Sequence, residues 1–145
     1  MQRSNTCKAD HFVSSSTYID RSVSTIPVYT TTLLREHLAL TGTKEGCASG
    51  DCGACTVAIG EQNADTHTFT SANACITPAH QLQGRHLVTV EGLAKEGHLH
   101  PAQKAMIECH GSQCGFCTPG IIMSLFTLHN DLNQRPAPLT PERLE

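Results

Sequence analysis

The sequence contains no tryptophan, two tyrosines and four phenylalanines, so aromatics make up only 4% of its 145 residues. A core built with so little aromatic area is thin, and metal ligation is one way a small domain makes up the missing stability. An excess of basic charge is also lacking. Ten Lys and Arg stand against 13 Asp and Glu for a formal net charge of −3, with no basic stripe, which argues against nucleic acid as a partner. No apolar run is long enough to span a bilayer: the best candidate, Ile121 to Leu128, is short and broken by Ser124 and Thr127. The start, Met1-Gln2-Arg3-Ser4-Asn5-Thr6, has no apolar export-signal core. A thiol-rich chain without such a signal suits a reducing compartment, so the cytoplasm is the expected location. The length allows one ordinary domain or two small ones.

Cysteine, by contrast, is abundant at eight residues. Three fall in the run Gly46-Cys47-Ala48-Ser49-Gly50-Asp51-Cys52-Gly53-Ala54-Cys55, and Cys75 follows downstream. The C-x₄-C-x₂-C spacing with a distant fourth cysteine is the plant-type arrangement for a [2Fe–2S] cluster held by four thiolates. Bridging sulfides accept hydrogen bonds, so such a loop must turn several backbone N–H groups inward, which needs residues tolerant of unusual φ/ψ. Gly46, Gly50 and Gly53 meet that need, and between the ligands only Asp51 is larger than serine.

Three other uses of these cysteines compete. Structural zinc also takes a Cys pair two apart, but usually sets two compact pairs against each other, whereas here three cysteines crowd one loop. A thioredoxin-like C-x-x-C at Cys52 and Cys55 wants a strand before it and a helix after it, and Thr56-Val57-Ala58-Ile59 reads as a strand that follows. A disulfide framework suits small secreted chains.

Residues 1–29 are dominated by Ser and Thr, and Phe12-Val13, Tyr18-Ile19 and Val28-Tyr29 are short apolar pairs that could seed strands. Cys7 lies there without a partner at ligand spacing and reads as a surface thiol. From Thr30, three threonines offer an N-cap, Leu33, Leu34 and Leu38 recur at helical spacing, and Gly42 offers a stop, predicting a short helix that leads into the cysteine loop. Strands are predicted over residues 56–59, 66–70 and 86–90, with a polar turn over 60–65. This first part therefore reads as a small mixed sheet crossed by one helix.

Glu91 to Gly97 reads as a polar linker, after which the period changes from two to about three and a half. Pro101 sits at a first helical position, Ala102, Ala105, Met106 and Cys109 share a stripe, and Gly111 closes the segment. Cys109 is expected to face the core as a small hydrophobe. A second C-x-x-C, Cys114 and Cys117, precedes a helix capped by Thr118 and begun by Pro119, with Ile121, Ile122, Leu125 and Phe126 on one face. A helix N-terminus favours thiolate, which suits a cluster or a reactive thiol equally. The nine histidines are scattered, with His98 and His100 the one close pair, and read as solvated.

The order of these motifs resembles a known family. Thr41-Gly42-Thr43-Lys44-Glu45-Gly46-Cys47, Gly50-Asp51-Cys52-Gly53-Ala54-Cys55-Thr56-Val57, Asn73-Ala74-Cys75, Val88-Thr89-Val90-Glu91-Gly92, His100-Pro101 with Gln103, and His110-Gly111-Ser112-Gln113-Cys114-Gly115-Phe116-Cys117-Thr118-Pro119-Gly120 are similar to the iron–sulfur region of molybdenum hydroxylases. Asp51 and the His110-Gly111-Ser112-Gln113 stretch look most like xanthine dehydrogenase. Carbon monoxide dehydrogenase-like and aldehyde-oxidising relatives are the alternative.

The resemblance implies an α+β fold: a β-grasp 2Fe-2S ferredoxin-like domain over residues 1–92, with 1–29 poorly matched, followed by a truncated all-α [2Fe-2S]-binding bundle domain over 93–145. It implies that Cys47, Cys52, Cys55 and Cys75 bind one cluster, that Cys114 and Cys117 supply half the ligands of a second, and that Gln113 contacts a pterin. Enzymes of this type hydroxylate a purine at a molybdenum–pterin centre and pass electrons through two [2Fe–2S] clusters to FAD and NAD. The chain is then the electron-transfer part of an oxidoreductase, without turnover of its own, with molybdopterin and FAD held by partner domains or subunits. The family completes its second cluster with a C-x-C pair, and no cysteine follows Cys117. With Thr140-Pro141-Glu142 reading as the start of a helix that has no body, the sequence is expected to be truncated. Two readings from other classes stand beside this one: a free-standing ferredoxin and a zinc-stabilised module.

Overall fold

A computed structural model describes residues 17–18, 28–63 and 66–134. The expected strand seed Phe12-Val13, the surface thiol Cys7 and the helix start at Thr140 lie outside the described residues, as do the ends of the two expected domains. Four strands, β1 (Thr17–Tyr18), β2 (Thr56–Asn63), β3 (Thr66–Asn73) and β4 (His86–Val88), form one sheet in the order β1-β4-β2-β3. Each described pairing is antiparallel, where a mixed sheet was expected. Strands β2 and β3 run the full register from Thr56 opposite Asn73 to Asn63 opposite Thr66, so β2 extends through the first half of the expected polar turn.

Strand β2 is the centre of the molecule because it is buried on both faces. Successive side chains point to opposite sides of a strand. Val57 therefore joins one core with Leu33, Leu34, Leu82, Leu87, Cys55 and Cys75. Ala58 joins the other with Val88, Leu93, Ala102, Ile122 and Met123. The result is a sheet between two helical layers.

On the first face, the helical turn α1 (Thr30–Thr32) continues into a π-helical turn, Leu33–His37. The wider turn is carried by Leu38 N–H on the Leu33 carbonyl at 3.0 Å. The N-cap is Tyr29, without a side-chain cap bond, while Thr30 and Thr31 are buried inside the turn. Their hydroxyls are used for tertiary contacts instead: Thr30 donates to the Thr77 carbonyl at 2.7 Å, and Thr31 donates to the Glu45 carboxylate. The left-handed residue after the helix is Ala39, at φ 56°, three residues before the expected stop at Gly42.

On the second face lie α2 (Pro101–Glu108) and α3 (Thr118–Gln134). Helix α2 starts at Pro101, as its sequence predicts, but its cap is His100. The Ala102 N–H donates to His100 Nδ1 at 3.1 Å, and the His100 N–H donates to Gln103 Oε1 at 3.0 Å, a reciprocal capping box. Gln103 also donates to the Val90 carbonyl at 3.0 Å, tying the helix to the short 3₁₀ turn Val90–Leu93. The His100 ring stands 5.2 Å from Phe126 and from His129, and Phe126 stands 5.2 Å from Phe69 of β3. His100 is thus a structural cap within an aromatic cluster, not a solvated side chain.

Two further expectations are corrected on this face. Cys109 is exposed, because only Ala102 of α2 is buried and the helix ends before its last turn meets another layer. Helix α3 buries Ile122 and Met123, while Ile121 and Leu125 are 42% and 39% exposed on an adjacent stripe with Leu128. Among the described residues no helix is long and apolar enough to cross a membrane.

The His100 cap has a pH consequence. Burial, followed by the charge of His129, lowers the His100 pKa below the ordinary 6.5, and a protonated Nδ1 can no longer accept from Ala102. The folded value is depressed, so the cap is fully effective above pH 6.5 and is lost as the pH falls through the lower folded value. His100→Asn retains an acceptor that does not titrate. Chemical denaturation should show the wild type losing stability more steeply than His100→Asn between about pH 6.5 and 5, and a neutral His100→Ala protein should be about 1 kcal/mol less stable.

Candidate metal centre

The first cysteine run is held between elements that were already fixed by the sheet. At its start, Arg35 Nη1 donates to the Thr41 and Thr43 carbonyls at 3.0 and 2.8 Å. At its end, Cys55 enters β2. Asn73, the last residue of β3, reaches across and donates from Nδ2 to the Gly50 carbonyl at 2.6 Å, and the Ala74 N–H donates to the Cys55 carbonyl at 3.2 Å. Asn73 was visible in the sequence only as part of a motif; its role in pinning the loop needed the structure.

Within the run, Ala48, Gly50 and Gly53 have positive φ. Two of the three glycines therefore serve the backbone path that was expected of them, and Ala48 takes the third left-handed position despite its Cβ. The reversals turn the N–H groups of Ser49 and Cys52 toward Cys47 Sγ, at 3.5 and 3.4 Å. Asp51 points elsewhere and accepts from the Ser49 hydroxyl at 2.7 Å.

The four cysteines fall into two pairs. Cys55 and Cys75 are 1% and 4% exposed with their sulfurs 3.3 Å apart. Cys47 and Cys52 sit at the rim, partly and fully exposed. Cys47 and Cys75 differ in acidity. The Ser49 hydroxyl, followed by the N–H groups of Cys52 and Ser49, lowers the Cys47 thiol from 9.0 to about 5. Burial, followed by the adjoining Cys55 thiol, raises Cys75 to about 11. A thiophilic centre therefore meets a ready thiolate at Cys47 and must displace a proton from Cys75.

This donor set fits a [2Fe–2S] cluster. Each iron of such a cluster takes two protein thiolates, and two thiolate pairs, one inner and one outer, offer that division.

Cys114 and Cys117, the second pair, are both exposed, as is Gln113 beside them. The turn that carries them is closed by the Ser112 and Thr118 hydroxyls, 2.8 Å apart. The structure brings this motif against the first one. A Cβ at Gly120 would overlap the Gly53 carbonyl oxygen and lie 3.1 Å from Ala54 Cα, so the first turn of α3 rests directly on the backbone between Cys52 and Cys55. Cys52, Gly53 and Cys117 then share one apolar groove with Ile121, Leu125 and Leu128. Both partners in the Gly120 contact are backbone and cannot rotate away. Gly120→Ala should cost about 1–3 kcal/mol in chemical denaturation, whereas the exposed control Ser124→Ala should cost no more than about 1 kcal/mol, its bond to the Gly120 carbonyl.

With this geometry established, comparison with known proteins is direct. A 2Fe-2S iron-sulfur cluster binding domain model matches residues 17–80, and a [2Fe-2S] binding domain model matches residues 89–143. The chain is 45% identical over 106 residues to a xanthine dehydrogenase of Blastobotrys adeninivorans, covering 72% of this chain and 8% of that protein. It is 50% identical over 108 residues to an aldehyde oxidase 1 of Bos taurus, with 72% and 8% covered. A xanthine dehydrogenase/oxidase of Mus musculus aligns over 98% of this chain and 10% of its own length at 42% identity. Among solved structures, quinoline 2-oxidoreductase from Pseudomonas putida 86 superimposes with a TM-score of 0.65 at 35% identity, over 80% of this chain and 65% of that one. The aldehyde oxidoreductase from Desulfovibrio gigas gives 0.64 at 35% identity over 78% and 11%. The chain spans about a tenth or less of the length of the curated relatives named here. The chain carries two iron–sulfur domains, and its relatives are the N-terminal regions of xanthine dehydrogenases and aldehyde oxidases.

Proposed function

We propose that this chain is the electron-transfer part of a xanthine dehydrogenase-like molybdenum hydroxylase, passing electrons from a molybdopterin centre toward FAD and NAD. The observation that carries this reading is the direct seating of α3, with its Cys114 and Cys117, on the loop that pairs Cys47 with Cys52 and Cys55 with Cys75. A simple carrier needs the first motif alone. A [2Fe–2S] cluster supplies a one-electron reservoir when bound. The chain's own residues would do the rest. Cys47, Cys52, Cys55 and Cys75 hold the irons, and the Ser49 and Cys52 N–H groups offset negative charge at Cys47 Sγ. The inner pair lies in the core with Val57 and Leu87, where water is excluded.

The molybdopterin and FAD centres belong, in this reading, to partner domains or subunits, and the boundary between the two iron–sulfur domains falls near residue 92. Cys114 and Cys117 supply half of a second site, and the exposed amide of Gln113 can both donate to and accept from a pterin on such a partner. In the assembled enzyme, Gln113→Ala should slow reduction of the iron–sulfur centres by substrate and leave the first cluster formed; an unchanged rate would remove the pterin contact. An aldehyde-oxidising enzyme is the second reading, favoured by the 50% identity to the bovine aldehyde oxidase 1. The alignment of the mouse xanthine dehydrogenase/oxidase over 98% of the chain favours the first.

The chain by itself should bind one cluster. Cys114 and Cys117 supply two of the four thiolates that a second cluster needs. After anaerobic reconstitution, about two irons, two sulfides and one paramagnetic signal in the reduced state are expected per chain. Cys75→Ser should lose most of the visible absorbance. About four irons with two signals, or full colour in Cys75→Ser, would overturn the ligand assignment.

A further inference from the structure

Gly46 stands immediately before the first ligand, and the space left by its missing side chain is filled from the other motif. A Cβ there would lie 3.1 Å from Phe116 Cε1 and 3.2 Å from Cys52 Sγ, so the phenyl edge and the thiol flank the same position. Phe116 lies between Cys114 and Cys117 and is 46% exposed. It belongs to neither buried core. Its one close apolar placement is over the rim of the first loop, where Cys47 is partly exposed and Cys52 fully so. The inner pair has the core to keep water away, whereas at the exposed Cys52 this ring is the neighbouring apolar group.

We propose that Phe116 is a positioning residue for the first cluster: delivered by the second cysteine motif, its ring covers the Cys52 side of the loop, keeps water off it and holds the cluster's reduction potential low. The proposal rests on the cluster assignment above and goes beyond it. Reduction adds one negative charge to the cluster. Water stabilises that charge by its dielectric response and by hydrogen bonds to thiolate sulfur, so solvent access raises the potential, and an apolar cover lowers it. Because the ring comes from the loop that leads into α3, the potential of the first site then depends on how the second motif is seated. Gly46 serves the same placement, since a larger residue would make the ring or the Cys52 sulfur give by a few tenths of an ångström.

The test uses the whole chain, reconstituted anaerobically, with Phe116→Ala and Phe116→Val beside the wild type. Iron and sulfide are counted first. Each protein is then titrated with dithionite while visible absorbance and the paramagnetic signal are followed, and couplings to exchangeable deuterons are recorded in D₂O. The expected result is wild-type iron content with a higher potential. The reduction equilibrium of Phe116→Ala should shift about tenfold toward the reduced form, about 59 mV for a one-electron couple. Phe116→Val should shift less in the same direction, and deuteron couplings should grow in both. Should Phe116→Ala fail to hold its cluster, Phe116→Val decides by the same shift. An unchanged potential in iron-replete variants overturns the proposal. A wild-type chain that takes up no iron overturns the cluster assignment instead, before any variant is compared.

Discussion

The contact between Gly120 and the Gly53 carbonyl is backbone against backbone, and it makes one unit of two cysteine motifs that lie more than 60 residues apart. Side-chain contacts could relax around a substitution; this one cannot. Its existence depends on β2, whose burial on both faces places the cysteine loop at one end of the strand and α3 across its other side. Small residues at Gly53, Ala54, Ala58 and Gly120 let the layers approach, and the little aromatic area available is concentrated where the layers meet, at Phe69 and Phe126. A chain without tryptophan can thus still fix its two halves relative to each other.

The division of the four thiols into an inner and an outer pair follows from the same arrangement. Cys55 and Cys75 end up in the core because they flank the paired strands β2 and β3, whose registered ends, Thr56 and Asn73, lie opposite each other. Cys47 and Cys52 are left at the rim because the loop between them is turned by left-handed residues and not by packing. The inner pair therefore sits in low dielectric, with the Cys75 thiol raised, while backbone donors and a lowered thiol are found at Cys47. A centre that spans both gains shelter on one side and access on the other, which is what electron exchange with a neighbouring centre requires.

Much of this was legible in the sequence, for particular reasons. The glycines of the first cysteine run announced a loop with left-handed backbone, and the change of period after residue 97 announced helices α2 and α3. Other features were hidden because competing physics governed them. Thr30 and Thr31 have the composition of caps, but burial turned their hydroxyls to Thr77 and Glu45. His100 caps α2 although histidine is not a usual cap; the spacing of His100, Pro101 and Gln103, which follows the pattern of a capping box, was the available signal. Cys109 continues a stripe whose earlier members, Ala102 and Met106, pack on the second core, but at the C-cap it is exposed. The meeting of Phe116, Gly46 and Cys52 has no sequence signature, since it depends on how two distant loops dock.

The central claim is that the four thiolates act as two pairs on a two-iron centre and not as a tetrahedral set on one ion. X-ray absorption at the iron and zinc edges of anaerobically purified protein tests it most directly. The account predicts iron surrounded by sulfur alone with a second iron at short range. A zinc edge with four sulfur neighbours and no metal–metal scattering would contradict it.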